Sequence, residues 1–173
     1  TATGGASAIV TKEKSNIKIE SVTIGKAVDY GIKDVYNMGA AMAPSASYTI
    51  SKHLEDLNRS PDYYDLILTG DLGMYGKKIL KELIKKEHNI DLKDNYEDCG
   101  CLLYDLKKQD VKAGASGPTS SALVTFSYII DEMKKGNNKK VLLVATGALM
   151  SPTMMKQKLT IPSMSHAVSL EAI

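Results

Sequence analysis

The chain has 173 residues, of which 43% are apolar and 24% are charged, and its formal net charge is +2. These values are typical of globular domains, so they exclude a disordered tail and a fibrous repeat. The length suits one domain, or one half of a larger one. Arg59 is the only arginine among 22 basic residues. Nucleic-acid-binding proteins depend on arginine for bidentate contacts, so we expect no nucleic-acid partner.

The ends of the chain suggest a piece of a longer protein. Thr1 leads directly into Thr3–Val10, where glycines and then alternating apolar residues predict a turn and a strand. The chain stops shortly after His166–Glu171, which alternates in the same way. The longest apolar run, Val141–Met150, is well short of the ~20 residues that a membrane-spanning helix needs. We expect neither a signal peptide nor a transmembrane segment in these residues.

The predicted elements of the first part alternate between strand and helix. Asn16–Ile24 alternates apolar and polar residues, as a half-buried strand does. Pro44 suits the first turn of a helix that continues to Leu57. Asp65–Leu68 predicts a buried parallel strand. Met74–Glu87 follows as a helix with its lysines outward.

The second part continues the alternation. Asn89–Cys99 reads as a polar connection and Cys101–Tyr104 as a short strand. Thr119–Met133 has the clearest helical spacing, with Gly136 as its stop. Val141–Ala145 is a continuous apolar strand. Strands that alternate with helices predict an α/β fold, with a mainly parallel sheet and helices on its faces.

Three glycine-containing segments follow predicted strands: Thr69–Gly73, Ala113–Gly117 and Thr146–Leu149. Ligands of open α/β sheets bind beyond the carboxyl ends of the strands. Glycine lets backbone N–H groups approach a ligand there, and a following helix N-terminus favours an anion. The same glycines also suit tight strand-to-helix turns. Both interpretations stay open, and three such segments together indicate a candidate binding site.

Common catalytic and metal-binding signatures are missing. The sequence has neither G-x-x-x-x-G-K-[ST] nor G-x-G-x-x-G. His53 and His88 are predicted at the surface, and His166 is predicted as a structural histidine or a pocket group. The two cysteines, Cys99 and Cys101, cannot form a disulfide framework and lack the second ligand pair of a zinc site. We therefore predict no catalytic residue, metal site or cofactor in this chain.

Several segments resemble the stage V sporulation protein AD family: Asn37–Pro44, His53–Arg59, Leu66–Gly73, Val144–Pro152, Ile161–Pro162 and His166–Val168. The resemblance extends over nearly the whole chain. Members of this family are about twice as long, so the chain resembles their C-terminal half. Residues 1–24 would then be the end of the first half with its crossover, and residues 25–173 would be the second half.

The resemblance implies a thiolase-like fold, in which two halves, each a mixed sheet with helices on both faces, stack as an αβαβα sandwich. It implies a non-catalytic protein that binds dipicolinic acid, alone or as its calcium chelate, and supports its uptake into the developing endospore and its release. The expected partners are membrane proteins of the same sporulation operon, the missing N-terminal half and a second copy in a homodimer. The expected location is the surface of the spore inner membrane, without insertion.

The resemblance also bears on catalysis. Condensing enzymes of the thiolase-like group use a cysteine from the first half, with a histidine and an asparagine or second histidine from the second. The matching segments here, Thr69–Asp71 and Gly117–Ser120, contain none of these residues. Without a base and an oxyanion donor, condensation loses its proton transfer and its charge stabilisation. The alternative, an acyltransferase or condensing enzyme, would need Asp71 or His166 as a substitute.

The predicted ligand contacts are backbone N–H groups at the glycines and the hydroxyls of Thr69 and Thr119. The full set is Thr69, Gly70, Asp71, Gly117, Thr119, Gly147, Ala148 and Leu149. Asp71 would repel an anionic ligand. Its carboxylate is therefore expected either to bind backbone N–H groups or to meet the ligand through a cation such as calcium.

Overall fold

A computed structural model describes all 173 residues. Five strands form one sheet in the order β1-β5-β4-β2-β3. They are β1 (Ile17–Thr23), β2 (Leu66–Thr69), β3 (Tyr96–Asp98), β4 (Lys140–Ala148) and β5 (Ser163–Ala172). β2 is parallel to β3 and β4, whereas β5 is antiparallel to β4 and β1. The sheet is therefore mixed, and the parallel pairing predicted from the sequence holds for its β4-β2-β3 part.

Helices cover both faces of this sheet. They are α1 (Met38–Asp56), α2 (Gly73–His88), α3 (Cys99–Leu102), α4 (Thr119–Leu123), α5 (Ile130–Lys134) and α6 (Pro152–Lys156). A π-helical stretch, Val124–Ile129, joins α4 to α5, so residues 119–134 form one continuous helix. By length and hydropathy, none of the helices qualifies as a membrane span.

The alternation of side chains along β2 separates two apolar clusters. Ile67 packs with residues of α1 and α2, whereas Leu68 packs with Val124 and Met133 of the continuous helix. Successive residues of a strand point to opposite faces, and both of these are fully buried. Coverage of both faces explains why β2 is continuously apolar from Leu66 to Leu68, before it ends at the buried Thr69. The predicted α/β class with helices on both faces is confirmed.

The predicted start of the first helix is wrong. α1 begins at Met38, well before Pro44, because the Asn37 side chain caps it by accepting the Ala40 N–H at 3.3 Å. Pro44 lies buried inside α1. A proline cannot donate to the carbonyl four residues earlier, so the helix continues past Pro44 with one hydrogen bond fewer.

The predicted strand at Cys101–Tyr104 is also wrong. Residues Cys99–Leu102 form α3, and the strand of this region is β3, inside the predicted connection. The carboxylate of Asp98 accepts the Gly100 N–H at 3.0 Å and so caps α3. A side-chain acceptor at this position favours a helix start over continuation of the strand.

The strand predicted within Thr3–Val10 is absent. Residues 1–15 have no helix or strand, and Ile9 and Val10 are strongly exposed. An alternating segment forms a strand when a neighbouring strand accepts its backbone hydrogen bonds. In this structure no strand pairs with these residues.

The division into residues 1–24 and 25–173 stays a prediction. β1, from the first range, pairs with β5 and extends the sheet of the second range. The Glu20 carboxylate on β1 accepts two hydrogen bonds from Arg59, both at 3.0 Å, and one from the Ser169 hydroxyl at 2.7 Å. These contacts attach the edge strand to the turn that follows α1 and to β5.

His53 is buried, contrary to the surface position predicted for it. Its Nδ1 lies 2.7 Å from Thr23 Oγ1, and its Nε2 lies 2.6 Å from the Tyr64 hydroxyl. Arg59 donates to the Tyr64 oxygen at 2.9 Å. Because the buried Tyr64 hydroxyl has no other acceptor among these contacts, we assign it as the donor to Nε2, which leaves the ring proton on Nδ1. Burial, assisted by the charge of Arg59, lowers the pKa of His53 to about 4.

Candidate ligand-binding site

A cavity of about 330 Å³ lies at the carboxyl edge of the parallel strands. Its wall combines the first turns of α1, the turn after β2, the turn before α4 and the end of β4. The lining residues are Met38, Met42, Asp71, Ser116, Gly117, Pro118, Thr146, Gly147, Ala148 and Met150. This edge is where open α/β sheets bind their ligands.

A larger open groove, of about 1120 Å³, borders the C-terminal ends of α1 and α2. Four of its charged side chains form two exposed pairs: Lys52 lies 3.2 Å from Glu55, and Lys93 lies 3.0 Å from Asp62. Mutually paired, exposed charges are typical of a solvated surface. None of the predicted ligand contacts lines this groove. The smaller cavity is therefore the candidate site.

Asp71 joins the three segments that were expected to converge. One carboxylate oxygen accepts the Gly117 N–H at 2.8 Å, and the other accepts the Thr146 hydroxyl at 2.9 Å. The Asp71 N–H in turn donates to Thr146 Oγ1 at 3.1 Å. Of the two orientations considered for this side chain, the structure contains the one directed at donors of its own loops.

The environment of Asp71 affects its protonation. Burial raises the pKa of Asp71, while the hydrogen bonds from the Gly117 N–H and the Thr146 hydroxyl act in the opposite direction. Both oxygens already have a donor from the protein. Each oxygen keeps a second lone pair, but protonation of the carboxylate would weaken the two hydrogen bonds that hold the turn before α4 and the end of β4. Its evident role is to hold the cavity in shape.

Two of the predicted glycines are explained by the packing of these turns. Gly117 has φ +107°, a conformation that residues with a Cβ rarely adopt, and it directs its N–H at Asp71. A Cβ on Gly70 would lie 2.6 Å from Thr146 Oγ1. Gly70 therefore leaves the space in which Thr146 reaches Asp71. Both positions serve the shape of the site.

Thr69 does not line the cavity, although it was predicted to donate to a ligand. The residue is fully buried, and its hydroxyl donates to Asp98 Oδ2 at 2.7 Å. The Tyr96 hydroxyl, 3.0 Å away, is then the donor to Thr69 Oγ1. The Thr69 hydroxyl is committed to this internal network beneath the site.

Asp98 is a supporting residue whose role was missed from the sequence. Besides the Thr69 hydroxyl, its carboxylate accepts the N–H groups of Leu72 and Gly73, each at 2.9 Å, and of Gly100 at 3.0 Å. Burial raises the pKa of Asp98, against the effect of these hydrogen bonds. The signal in the sequence was an acidic residue directly before a helix start.

The remaining predicted contacts divide into two groups. Gly147 and Ala148 line the cavity, but as the last residues of β4 rather than as a loop. The strand continues to this point because β5 pairs with it up to Ala148. Thr119 and Leu149 do not line the cavity, and the Leu149 N–H donates to the Pro162 carbonyl at 2.8 Å.

The cavity wall contains no histidine, cysteine, asparagine, lysine or arginine. His166 is outside it, on β5, where Nδ1 accepts the Gly25 N–H at 3.1 Å. Burial raises the pKa of both thiols, that of Cys101 to about 12. No group of three or more His, Cys, Asp and Glu side chains is arranged to hold a metal ion. The wall can enclose a ligand, but it has no group placed for proton transfer.

The model of the family "Stage V sporulation protein AD" matches residues 1–171. Stage V sporulation protein AD of Bacillus subtilis (strain 168) is 46% identical over 171 residues, which are 99% of this chain and 50% of that protein. The chain thus spans about half the length of the curated relative that it matches.

Two solved structures are among those similar to this chain. The first is 3-oxoacyl-[acyl-carrier-protein] synthase III from Aquifex aeolicus VF5, at TM-score 0.46 and 15% identity, covering 93% of this chain and 46% of that one. The second is MvaS in complex with 3-hydroxy-3-methylglutaryl coenzyme A, at TM-score 0.46 and 11% identity, covering 92% of this chain and 41% of that one. The family predicted from the sequence is confirmed by the family model and the Bacillus subtilis relative: this chain belongs to the stage V sporulation protein AD family.

Proposed function

We propose that the protein containing this chain binds dipicolinic acid without transforming it, and that it supports the uptake of this acid into the developing endospore and its release. The observation that carries the proposal is a preformed cavity whose wall has no group free for proton transfer. Asp71 is its only ionisable side chain, and each of its carboxylate oxygens accepts a hydrogen bond that holds a segment of the wall. Membership of the family supports the role in sporulation.

The same observations argue against acyl transfer. A general base must come within about 3 Å of the proton it removes. Asp71 is engaged in holding two turns, and His166 lies outside the cavity wall with Nδ1 occupied by the Gly25 N–H. We expect the full-length protein to release no thiol from acyl-CoA donors above the buffer rate. Turnover that disappears in Asp71→Asn or His166→Gln would overturn the non-catalytic assignment.

A complete site requires groups beyond this chain. Dipicolinate is a flat pyridine with two carboxylates, and burying a charge without partners costs several kcal/mol. The cavity wall contains no cationic side chain. We therefore infer that the N-terminal half, absent from these residues, supplies the donors for the carboxylates. Calorimetric titration of the full-length protein with dipicolinate tests the proposal, and no heat of binding would refute it.

The role of calcium can be tested at Asp71. Because both oxygens accept hydrogen bonds from neighbouring turns, we expect a chelator to leave the affinity of the full-length protein for dipicolinate unchanged. Asp71→Asn should weaken binding equally with and without chelator, because the turn at Gly117 loses a charge-assisted bond. The exposed Asp110→Asn, which removes a surface pair with Lys112, is the control. A chelator effect in the wild type that Asp71→Asn abolishes would show that a cation bridges to the ligand.

We further propose that the protein works at the surface of the spore inner membrane, with membrane proteins of the same operon and as a homodimer. The finding that no helix qualifies as a membrane span is compatible with attachment through partners. Fractionation of sporulating cells tests this. The protein should sediment with membranes when the operon's membrane proteins are present and should leave them when those proteins are deleted. An unchanged distribution would contradict the proposed partners.

A further inference from the structure

We propose that this chain forms the aromatic-ring subsite of the cavity. In this arrangement Met38, Met42 and Met150 provide a wall for the flat ring of a heteroaromatic dicarboxylate, and the carboxylates are bound by groups outside this wall. The inference rests on the proposed function and specifies which part of the ligand this half holds.

The three methionines reach the cavity from two separate parts of the chain. Met38 and Met42 are four residues apart on the first turns of α1 and therefore lie on one face of that helix. Met150 follows the end of β4. Pro118 and Ala148 complete the apolar part of the wall. Three of the chain's eight methionines thus line this one cavity.

The polar groups of the wall do not suit a carboxylate. The N–H groups of Asp71 and Gly117 both have acceptors within the site, and so does the Thr146 hydroxyl. Asp71, when ionised, would repel a second anion. The hydroxyl of Ser116 is the one side-chain donor of the wall that has no partner, and a single exposed hydroxyl leaves most acceptor sites of a buried carboxylate unsatisfied, which is unfavourable. The part of the ligand that fits this wall is uncharged.

Methionine side chains favour an aromatic ring over a saturated one. The thioether sulfur makes attractive contacts with aromatic rings, and the unbranched side chain adapts to the shape of the ligand. Met42 is almost fully buried, whereas Met150 is 45% exposed. Met42 is therefore fixed by the packing of the core, whereas Met150 presents nearly half of its surface to a ligand. This arrangement suits a planar ring held between thioethers.

Methyl resonances of the methionines provide the direct test. The full-length protein, labelled with carbon-13 at the methionine methyls, is titrated with dipicolinate and with its ring-saturated piperidine analogue, which carries the same carboxylates. The aromatic ligand should cause ring-current shifts of Met38, Met42 and Met150. Met133, buried against the other face of the sheet, and Met155 should not respond. Assignment follows from single Met→Leu variants. Shifts of equal size with the saturated analogue would overturn the inference.

A matched pair of variants gives the second test. Met150 and Met155 are similarly exposed, at 45% and 41%, but only Met150 lines the cavity. Met150→Ala should weaken dipicolinate binding by roughly twofold to tenfold, the range expected for a sulfur–aromatic contact. The affinity for the saturated analogue should change less, and Met155→Ala should match the wild type. Equal effects of the two substitutions would contradict a ring subsite at Met150.

The two proposals fail in different ways. If the wild type binds dipicolinate but the three methyls and Met150→Ala show no response, the ring subsite is wrong and the proposed function stands. If the wild type does not bind dipicolinate, the proposed function is wrong. The ring subsite is then tested separately by titrating the labelled protein with pyridine, which has no carboxylates. Pyridine shifts confined to the three methyls support the subsite, and their absence overturns it.

Discussion

At the scale of single residues, three acidic side chains join segments that are distant in sequence: Glu20, Asp71 and Asp98. Burial acts to raise the pKa of each of them. For Asp71 and Asp98 burial prevails. For Glu20, the hydroxyls of Tyr63 and Ser169 and the cations Lys140 and Arg59 outweigh it and lower the pKa to about 2. Glu20 is therefore the acid whose charge stabilises the fold.

Replacing Glu20 tests this assignment. Glu20→Gln leaves Arg59 and Lys140 without their shared carboxylate, so the free energy of unfolding of the full-length protein should fall by roughly 3 kcal/mol near neutral pH. The folded pKa of about 2 lies below the ordinary 4.5, so the wild type should lose this contribution as pH falls from about 4.5 through about 2. Urea unfolding at several pH values measures both effects. Exposed Glu13→Gln is the control. If Glu20→Gln lost stability between pH 4.5 and about pH 2 as steeply as the wild type does, the prediction would be contradicted.

His53 should give a second pH dependence, at higher pH. Its folded pKa of about 4 lies below the ordinary 6.5, so the unfolded chain binds the proton more readily between these values. Stability should therefore decrease as pH falls from about 6.5 to about 4. His53→Gln cannot titrate and should have a flatter profile in this window, whereas exposed His88→Gln should keep the wild-type slope. Thermal unfolding of the full-length wild type and both variants at several pH values in this window is the measurement. If the stability of His53→Gln fell with pH in parallel with that of the wild type, the role of His53 would be refuted.

At the scale of elements, Asp98 organises the carboxyl edge of the sheet. It ends β3, caps α3 and accepts the N–H groups of Leu72 and Gly73 at the start of α2. Carboxylates are favoured at helix N-termini, where backbone N–H groups lack partners. One side chain thus sets the positions of two helices and of the turn that carries Asp71.

The prediction at this scale concerns Asp98 itself. Asp98→Ala leaves four buried donors without an acceptor and should lower the free energy of unfolding by about 3 kcal/mol or more. Asp98→Asn keeps one acceptor oxygen and should lose less. Exposed Asp94→Asn should lie within about 0.5 kcal/mol of the wild type. Denaturant unfolding of the full-length variants measures the series, and equal stability of Asp98→Ala and Asp94→Asn would exclude the capping role.

At the scale of the whole molecule, these residues leave large apolar side chains exposed. They occur in the first segment, on β1 and directly after it, and on the π-helical stretch: Ile9, Val10, Val22, Ile24, Phe126 and Tyr128. Exposed apolar surface of this kind indicates an interaction site. The chain spans half of its Bacillus subtilis relative, and the remaining half is the expected cover.

Residues 1–173 produced alone should therefore associate or fold poorly. Sedimentation velocity should show oligomers whose proportion rises with concentration, and the double substitution Phe126→Ser and Tyr128→Ser should reduce them, because both side chains are exposed. The full-length protein shows whether the other half suppresses the association. A compact monomer of residues 1–173 with a cooperative thermal transition would contradict the prediction.

The sequence alone determined the elements whose burial follows a simple period. The apolar runs of β2 and β4, the alternation of β5 and the helical spacing of α2 and residues 119–134 are all present as predicted. These elements are predictable because each buries one or both of its faces in the core, and this burial does not depend on which residues it contacts there. The family was also evident, because the matching segments extend along the whole chain.

The tertiary structure decided where single polar groups go. His53 shares a helical stripe with Ile50 and Leu54, but the sequence does not show that Thr23 and Tyr64 meet it there. The sequence indicated at most that Asp98 could cap a helix; its bonds to Thr69, Leu72 and Gly73, like the methionine wall, join separate segments and became evident only in the fold. Hydrogen bonds need particular partners within about 3 Å, whereas apolar burial needs only a face. For this reason the apolar pattern of the sequence predicts the sheet and the helices on its faces. The cavity and the hydrogen bonds that hold its wall are defined only by the folded structure.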